Sequence, residues 1–176
     1  MDQRKERTRT KIKNALLERL AASPLSDITV TSVCDTANVN RSTFYAHYDN
    51  VMDCFNEIAD EIVEEMRQSL YAEKNRTAEM YFRIYVRTAM KHRGVFKAIH
   101  SMDINNPMIE KMTVLFYEST HIDVFVPKND ENLAMSYFFS GFYGLIAAWL
   151  RGGCKATEDE IVQILRGSIY YAHLKF

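Results

Sequence analysis

At 176 residues the chain has room for one large domain or two small ones, which excludes a multi-enzyme arrangement. Hydrophobic residues make up 47% and charged residues 26%, and six glycines and three prolines leave few chain breakers; this excludes a disordered tail or a fibre and points to a compact helical protein. The formal net charge of -1 shows no overall basic excess, and the cysteines Cys34, Cys54 and Cys154, odd in number and without metal-ligand spacing, speak against a disulfide framework and for a reducing, cytoplasmic setting.

A basic arm opens the chain: Arg4, Lys5, Arg7, Arg9, Lys11 and Lys13 precede Leu16 with no apolar segment among them, so no secretory signal is expected. The arm runs into a helix whose apolar positions Ile12, Ala15, Leu16 and Leu20 share one face, closed by Pro24. Thr29 is placed to cap a second short helix, lined on one face by Val30, Val33, Cys34 and Ala37. Asn38 stands where that helix must end, and asparagine is the non-glycine residue best suited to the left-handed conformation needed there. Residues 41–48 read as another short helix, with Phe44 inward and Ser42, Thr43, Tyr45 and His47 on the other sides. Two short helices joined by a tight turn predict a helix-turn-helix.

Asn50, with Asp53 at the third helical position, caps a fourth helix of about five turns carried by Val51, Phe55, Ile58, Ile62 and Met66. Further helices are expected over residues 77–92, 95–100 and 107–121, the last with Pro107 in its first turn. Residues 122–126, closed by Pro127, read as a connector, and no strand is expected. The run 133–150 carries no charge and reaches the length, about 18 residues, at which a membrane helix must be considered. Ser136, Ser140, Gly144 and Ala148 recur there at every fourth position, and serines and tyrosines dilute the apolar character. Close helix-helix packing in a core or an interface is therefore the expectation. Gly152-Gly153 stops this helix, and Thr157 with Glu160 forms a capping box for a final helix through residue 174. The expected fold is all-α, with about nine helices.

Charge is unevenly divided. Residues 1–48 hold eight basic and five acidic side chains, net +3, while residues 49–176 hold fourteen and eighteen, net -4. The expected organisation follows that division: a helix-turn-helix domain over 1–48 and a second helical domain over 49–176. Enzyme constellations are not found. The glycines, at 94, 141, 144, 152, 153 and 167, compose no phosphate loop, dinucleotide fingerprint or nucleophile elbow. A di-iron bundle needs two Glu-x-x-His motifs, and only Glu118 to His121 has that spacing. No catalytic residue, metal ligand or cofactor is expected, and Cys154, beside Gly153 at a helix end, reads as an incidental cysteine rather than a redox-sensing thiol.

The run 28–51, and above all Ser42-Thr43-Phe44-Tyr45-x-His47-Tyr48, resembles the DNA-binding domain of the TetR (tetracycline-repressor-like) family of transcriptional regulators. The run 140–153, followed by Thr157-Glu-Asp-Glu, resembles the last two helices of a Firmicutes-type subgroup, which form a dimerising four-helix bundle. The resemblance implies that Thr29 and Thr31 touch phosphate or an outlying base. It places Arg41, Ser42 and Thr43 at base edges, where an arginine fork fits guanine O6 and N7 and a threonine methyl meets thymine. Tyr45 and His47 are implied phosphate contacts, and Tyr48, Lys5 and Arg9 complete the expected DNA-binding set. Two positions depart from the family pattern: Asn38 replaces the usual turn glycine, and Val51 replaces a lysine, which removes one phosphate contact. The resemblance further implies a homodimer, with Ser136, Ser140, Gly144, Ala148, Ile161 and Leu165 at its interface, a palindromic double-stranded operator, repression as the default and no membrane association. Tyr81, Phe82, Tyr85, Phe116, Tyr117, Phe138 and Tyr143 are candidates for lining a cavity for a small hydrophobic or aromatic effector, or form plain core. The alternative is a helical protein-interaction module that dimerises through its C-terminal helices, its basic arm serving another acidic partner.

Overall fold

The computed structural model describes residues 3–102, 106–120 and 131–172, with side chains described at all of these except 120, 131–136 and 168–172. His121, the connector 122–126, the Ser136 side chain and the chain end at 174 lie outside the described residues. Within them the chain forms nine α-helices: α1 (Gln3–Ala22), α2 (Val30–Ala37), α3 (Arg41–Tyr45), α4 (Val51–Ala72), α5 (Ala78–Lys91), α6 (Arg93–Ile99), α7 (Pro107–Thr120), α8 (Glu131–Arg151) and α9 (Glu158–Ala172). A short 3-10 turn, Leu25–Asp27, follows Pro24.

Local chemistry sets most of the boundaries. The basic arm belongs to α1 itself, whose buried stripe is Ile12, Ala15, Leu16 and Leu20. Thr29 and Ser32 exchange side-chain and backbone hydrogen bonds of 3.1 and 3.2 Å in a reciprocal capping box at the start of α2. Asn38 ends α2 at φ 52 and ψ 52, a left-handed conformation that costs most other L-residues about 1–2 kcal/mol. Asn50 caps α4 by accepting from the Asp53 amide at 2.9 Å. α3 is shorter than the expected 41–48. The amides of His47 and Tyr48 both donate to the Phe44 carbonyl, at 2.9 and 3.0 Å, which winds the chain off the helix towards the Asn50 cap.

Packing arranges these helices around α4. Its buried residues, among them Cys54, Phe55, Ile58, Ile62, Met66 and Leu70, lie along one side, and the helix packs on α1, α5 and α7. α1 also packs on α2 and α6, α5 on α9, and α8 on α6 and α9. The α1–α6 contact is a backbone approach. A Cβ at Gly94 would stand 2.9 Å from the Leu20 carbonyl oxygen, inside van der Waals contact, so that position admits only glycine without a shift. A cavity of about 260 Å³ lies beside it, lined by residues that include Leu20, Pro24, Gly94 and Lys97.

The turn from α8 to α9 is tightly specified. Gly153 and Cys154 take φ values of 82 and 57, the Cys154 amide donates to the Trp149 carbonyl at 3.0 Å, and the Trp149 indole donates to the Ala156 carbonyl at 3.0 Å. The Glu160 carboxylate accepts from the Thr157 amide at 2.7 Å, and the Thr157 hydroxyl oxygen accepts from the Glu160 amide at 3.3 Å; this is the expected capping box of α9. Among the described residues no helix is long and apolar enough to cross a membrane.

Candidate nucleic-acid interface

α2, the Asn38 turn and α3 form a helix-turn-helix with one face inward and one outward. Inward, Phe44 is fully buried and packs against Tyr48 with ring centroids 5.8 Å apart. Outward, Thr29, Thr31, Arg41 and Ser42 are exposed, Thr43 and His47 are half-buried, and Tyr45 stands 55% exposed. The Asn40 carboxamide oxygen accepts from the Thr43 amide at 2.7 Å and from the Ser42 hydroxyl at 2.8 Å, fixing the first turn of α3. Arg41 donates through Nη2 to the Thr31 hydroxyl oxygen, which ties the starts of the two helices together. Thr29 is committed to capping, since its hydroxyl oxygen accepts from the Ser32 amide.

Two members of the expected DNA-binding set have other roles. Tyr48 is only 5% exposed, and burial pushes its phenol above the ordinary range; it belongs to the core because it lies one turn after Phe44, on the same side of the chain. Arg9 is turned towards α4. It donates to the Glu57 carboxylate at 2.6 and 3.0 Å, and Lys13 joins at 3.1 Å to Glu57 and 2.5 Å to Glu61. Burial opposes ionisation of Glu57, yet the hydrogen bonds from Arg9 and Lys13 outweigh it and hold the carboxyl below its ordinary range. Lys5, nearer the chain start, is exposed.

The aromatic candidates of the C-terminal half pack on one another. Tyr81 meets Phe116 at 5.0 Å edge-on and Phe82 stacks on Phe116 at 6.0 Å; Tyr85 and Tyr143 lie 6.2 Å apart, and Phe138 is 6.0 Å from Phe116. Tyr117 meets Phe116 at 6.0 Å but stands 44% exposed at the margin of the cluster. Polar ends are satisfied within: the Tyr81 hydroxyl donates to the Met112 carbonyl at 2.8 Å, Tyr143 pairs with Thr113 at 2.9 Å, and Tyr85 pairs with His100 Nε2 at 3.1 Å. Burial, with a smaller contribution from Arg151, lowers the His100 pKa to about 4.

On α8, Ser140, Gly144 and Ala148 are exposed, and the Cβ positions of Gly141 and Gly144 meet nothing within 4 Å. On α9 the expected interface residues Ile161 and Leu165 are instead buried within the protomer, at 2% and 1% exposure, because their face packs on α5 and α8. Among the described side chains of α9, Ile164, 51% exposed, is the large apolar one turned outward. Sequence reasoning also passed over Asn40, whose position three before Thr43 is a cap signature, and Phe142, 4.8 Å from Tyr85 at the centre of the aromatic cluster.

Residues 91–171 match the family model for a TetR-type transcriptional regulator C-terminal region. No curated protein matches the chain in sequence. Among solved structures, a TetR transcriptional regulator from Streptococcus agalactiae 2603V is 20% identical with a TM-score of 0.72, covering 97% of this chain and 96% of its own. NalD of Pseudomonas aeruginosa, the secondary repressor of the MexAB-OprM multidrug efflux pump, is 19% identical at a TM-score of 0.72, covering 97% and 98%. The dihydroxyacetone kinase operon activator DhaS is 16% identical at 0.61, covering 93% and 97%. At these identities the likeness is one of fold, and it extends over nearly the whole chain. Residues 91–171 thus match a transcriptional-regulator C-terminal region of TetR type, and the chain as a whole has the fold of the TetR-type regulators it resembles.

Proposed function

We propose that this chain is a transcriptional regulator of the TetR family that binds double-stranded DNA through α2 and α3, as a cytoplasmic homodimer and without catalytic activity of its own. In this reading residues 1–48 are the reading head and residues 49–176 the regulatory and dimerising body. The observation that carries it is the outward face of the helix-turn-helix, where Thr31, Arg41, Ser42 and Tyr45 stand exposed above a fully buried Phe44. Hydroxyls and a guanidinium at the start of a recognition helix are the groups that reach base edges, while Tyr45, His47 and Lys5 are placed for phosphate. Binding to random duplex DNA should fall steeply with salt, and Arg41→Ala should weaken it; a flat, weak response sinks the reading.

Dimerisation through α8 and α9 is supported by the open stripe of Ser140, Gly144 and Ala148 together with the outward Ile164. Two such protomers related by a twofold axis would place their recognition helices in successive major grooves, about 34–36 Å apart, on a palindromic operator. Gly144→Leu should overpack the stripe and yield monomers in sedimentation. Repression is the default sign, and a promoter-reporter assay on the selected operator decides it. A small hydrophobic or aromatic effector would enter among Tyr81, Phe82, Tyr85, Phe116, Phe138 and Tyr143. Since these rings pack on one another, it would have to part them, and a shift in thermal midpoint on adding candidate aromatic compounds is the readout.

A further inference from the structure

The arginines and lysines of this chain with described partners mostly point at carboxylates: Arg9 at Glu57, Arg67 at Glu118, Arg87 at Glu158, Lys91 at Glu65. Arg41 differs. Its described hydrogen bond goes to a neutral acceptor, the Thr31 hydroxyl oxygen in the first turn of α2, and it makes no ion pair among the described residues. A guanidinium has five N–H donors in a planar fork, and one bond to a hydroxyl orients that fork while leaving four donors and the full charge for another acceptor. A carboxylate in the same place would have neutralised the group; a hydroxyl holds it without doing so.

We infer that Thr31 is a positioning residue for DNA readout: it holds the Arg41 fork in a guanine-reading orientation before DNA arrives, so that Thr31 sets sequence preference without touching a base. The inference rests on the proposed DNA-binding function and deepens it. Arg41 alone is a long side chain with many rotamers, and fixing it on binding reduces affinity for the matched base. With Thr31 in place that ordering is done in the free protein. The backbone of α3 is already fixed by the Asn40 cap, so the direction from which Arg41 leaves the helix is set as well. Ser42 is held by the same Asn40 oxygen, which leaves the Arg41 fork as the group whose orientation depends on α2.

The test is selection from a pool of random duplex DNA with the full-length dimer, followed by sequencing of the bound fraction, for the wild type and for Thr31→Val, Thr31→Ser and Arg41→Ala. The wild type should enrich a palindrome with guanine at one symmetric position in each half-site, and Arg41→Ala should lose the preference at that position. Thr31→Val, of the same shape without the hydroxyl, should cut that guanine preference about two- to tenfold, the cost of ordering one long side chain, with the rest of the palindrome and the salt slope retained. Thr31→Ser should restore it. The inference is overturned if Thr31→Val keeps the full guanine preference, or if it weakens binding to all sequences evenly, which is the signature of a phosphate contact or a structural brace. Failure of the wild type to enrich any sequence would instead overturn the DNA-binding reading itself, and this inference with it.

Discussion

Beyond its packing on α2, α1 meets α4 and α6 through two seams of opposite character. Against α4 the contact is charged and partly exposed: Arg9 and Lys13 reach Glu57 and Glu61, with Glu61 56% and Arg9 41% exposed at their side chains, and Glu57 and Lys13 21% and 13%. Against α6 it is a backbone approach at Gly94 and Leu20 with no ion pair described. Charged seams at a surface are soft, screened by salt and re-formable in several geometries. A close backbone contact leaves no space for a larger side chain or a nearer approach, so the α1–α6 seam depends on shape where the α1–α4 seam depends on charge. The difference is between a seam that salt weakens and one that only a change of volume disturbs.

Breaking the rigid seam should have the largest effect. Gly94→Val places branched carbon against the Leu20 carbonyl, and overpacking of that kind costs about 1–3 kcal/mol, with each kcal/mol lowering the thermal midpoint by roughly 2–4 °C in a chain of this length. The loss should be the same at low and high salt; a wild-type melt would show that the two helices are free to part.

Acid should strain the α6 side next. His100, at the end of α6, has its pKa lowered from 6.5 to about 4 by burial, so the unfolded chain binds the extra proton first. The stability contributed by this group is complete above pH 6.5 and is lost as the pH falls from there towards 4, and His100→Gln should flatten that part of a urea-denaturation pH series.

The charged seam should give the smallest change. Glu57→Gln is expected to cost about 0.2–1 kcal/mol in urea denaturation, vanishing at high salt where the Gly94→Val loss persists. Its pH signature is displaced from that of His100. Burial opposes ionisation of Glu57, but the bonds from Arg9 and Lys13 win, so the folded pKa lies below the ordinary 4.5. The contribution is therefore complete above that value and is lost only as the pH drops through the lowered one. If both acid transitions coincide, the α1–α4 seam and the packing of His100 against Tyr85 and Tyr143 are not independent.

Helix ends were readable from the sequence because caps are local. Thr29, Asn38, Asn50 and Thr157 with Glu160 act within three or four residues, and each stands in its expected role. What crossed the chain was not readable. Its place in a basic run points Arg9 at DNA, while its partner Glu57 lies 48 residues away on a helix whose facing side only the packing decides. Ile161 and Leu165 were assigned to a second protomer although α5 and α8 of their own protomer cover them. Tyr48 could have been placed from periodicity, since it follows Phe44 by four residues; the motif resemblance drew it outward instead. The stop of α3 at Tyr45 reflects competition with the next helix, whose Asn50 cap claims the chain a few residues later.

Trp149 is the only tryptophan of the chain, and its indole is 6% exposed and bonded across the α8–α9 turn to Ala156. The molecule thus carries a single built-in fluorophore, and that fluorophore watches the C-terminal helices rather than the reading head. An unfolding curve followed by tryptophan emission reports loss of the α8–α9 turn, whereas circular dichroism at the helix band averages over every helix. If the two curves separate, the helix-turn-helix melts apart from the body, and the optical difference between them measures how tightly α6 binds the fate of one half to the other.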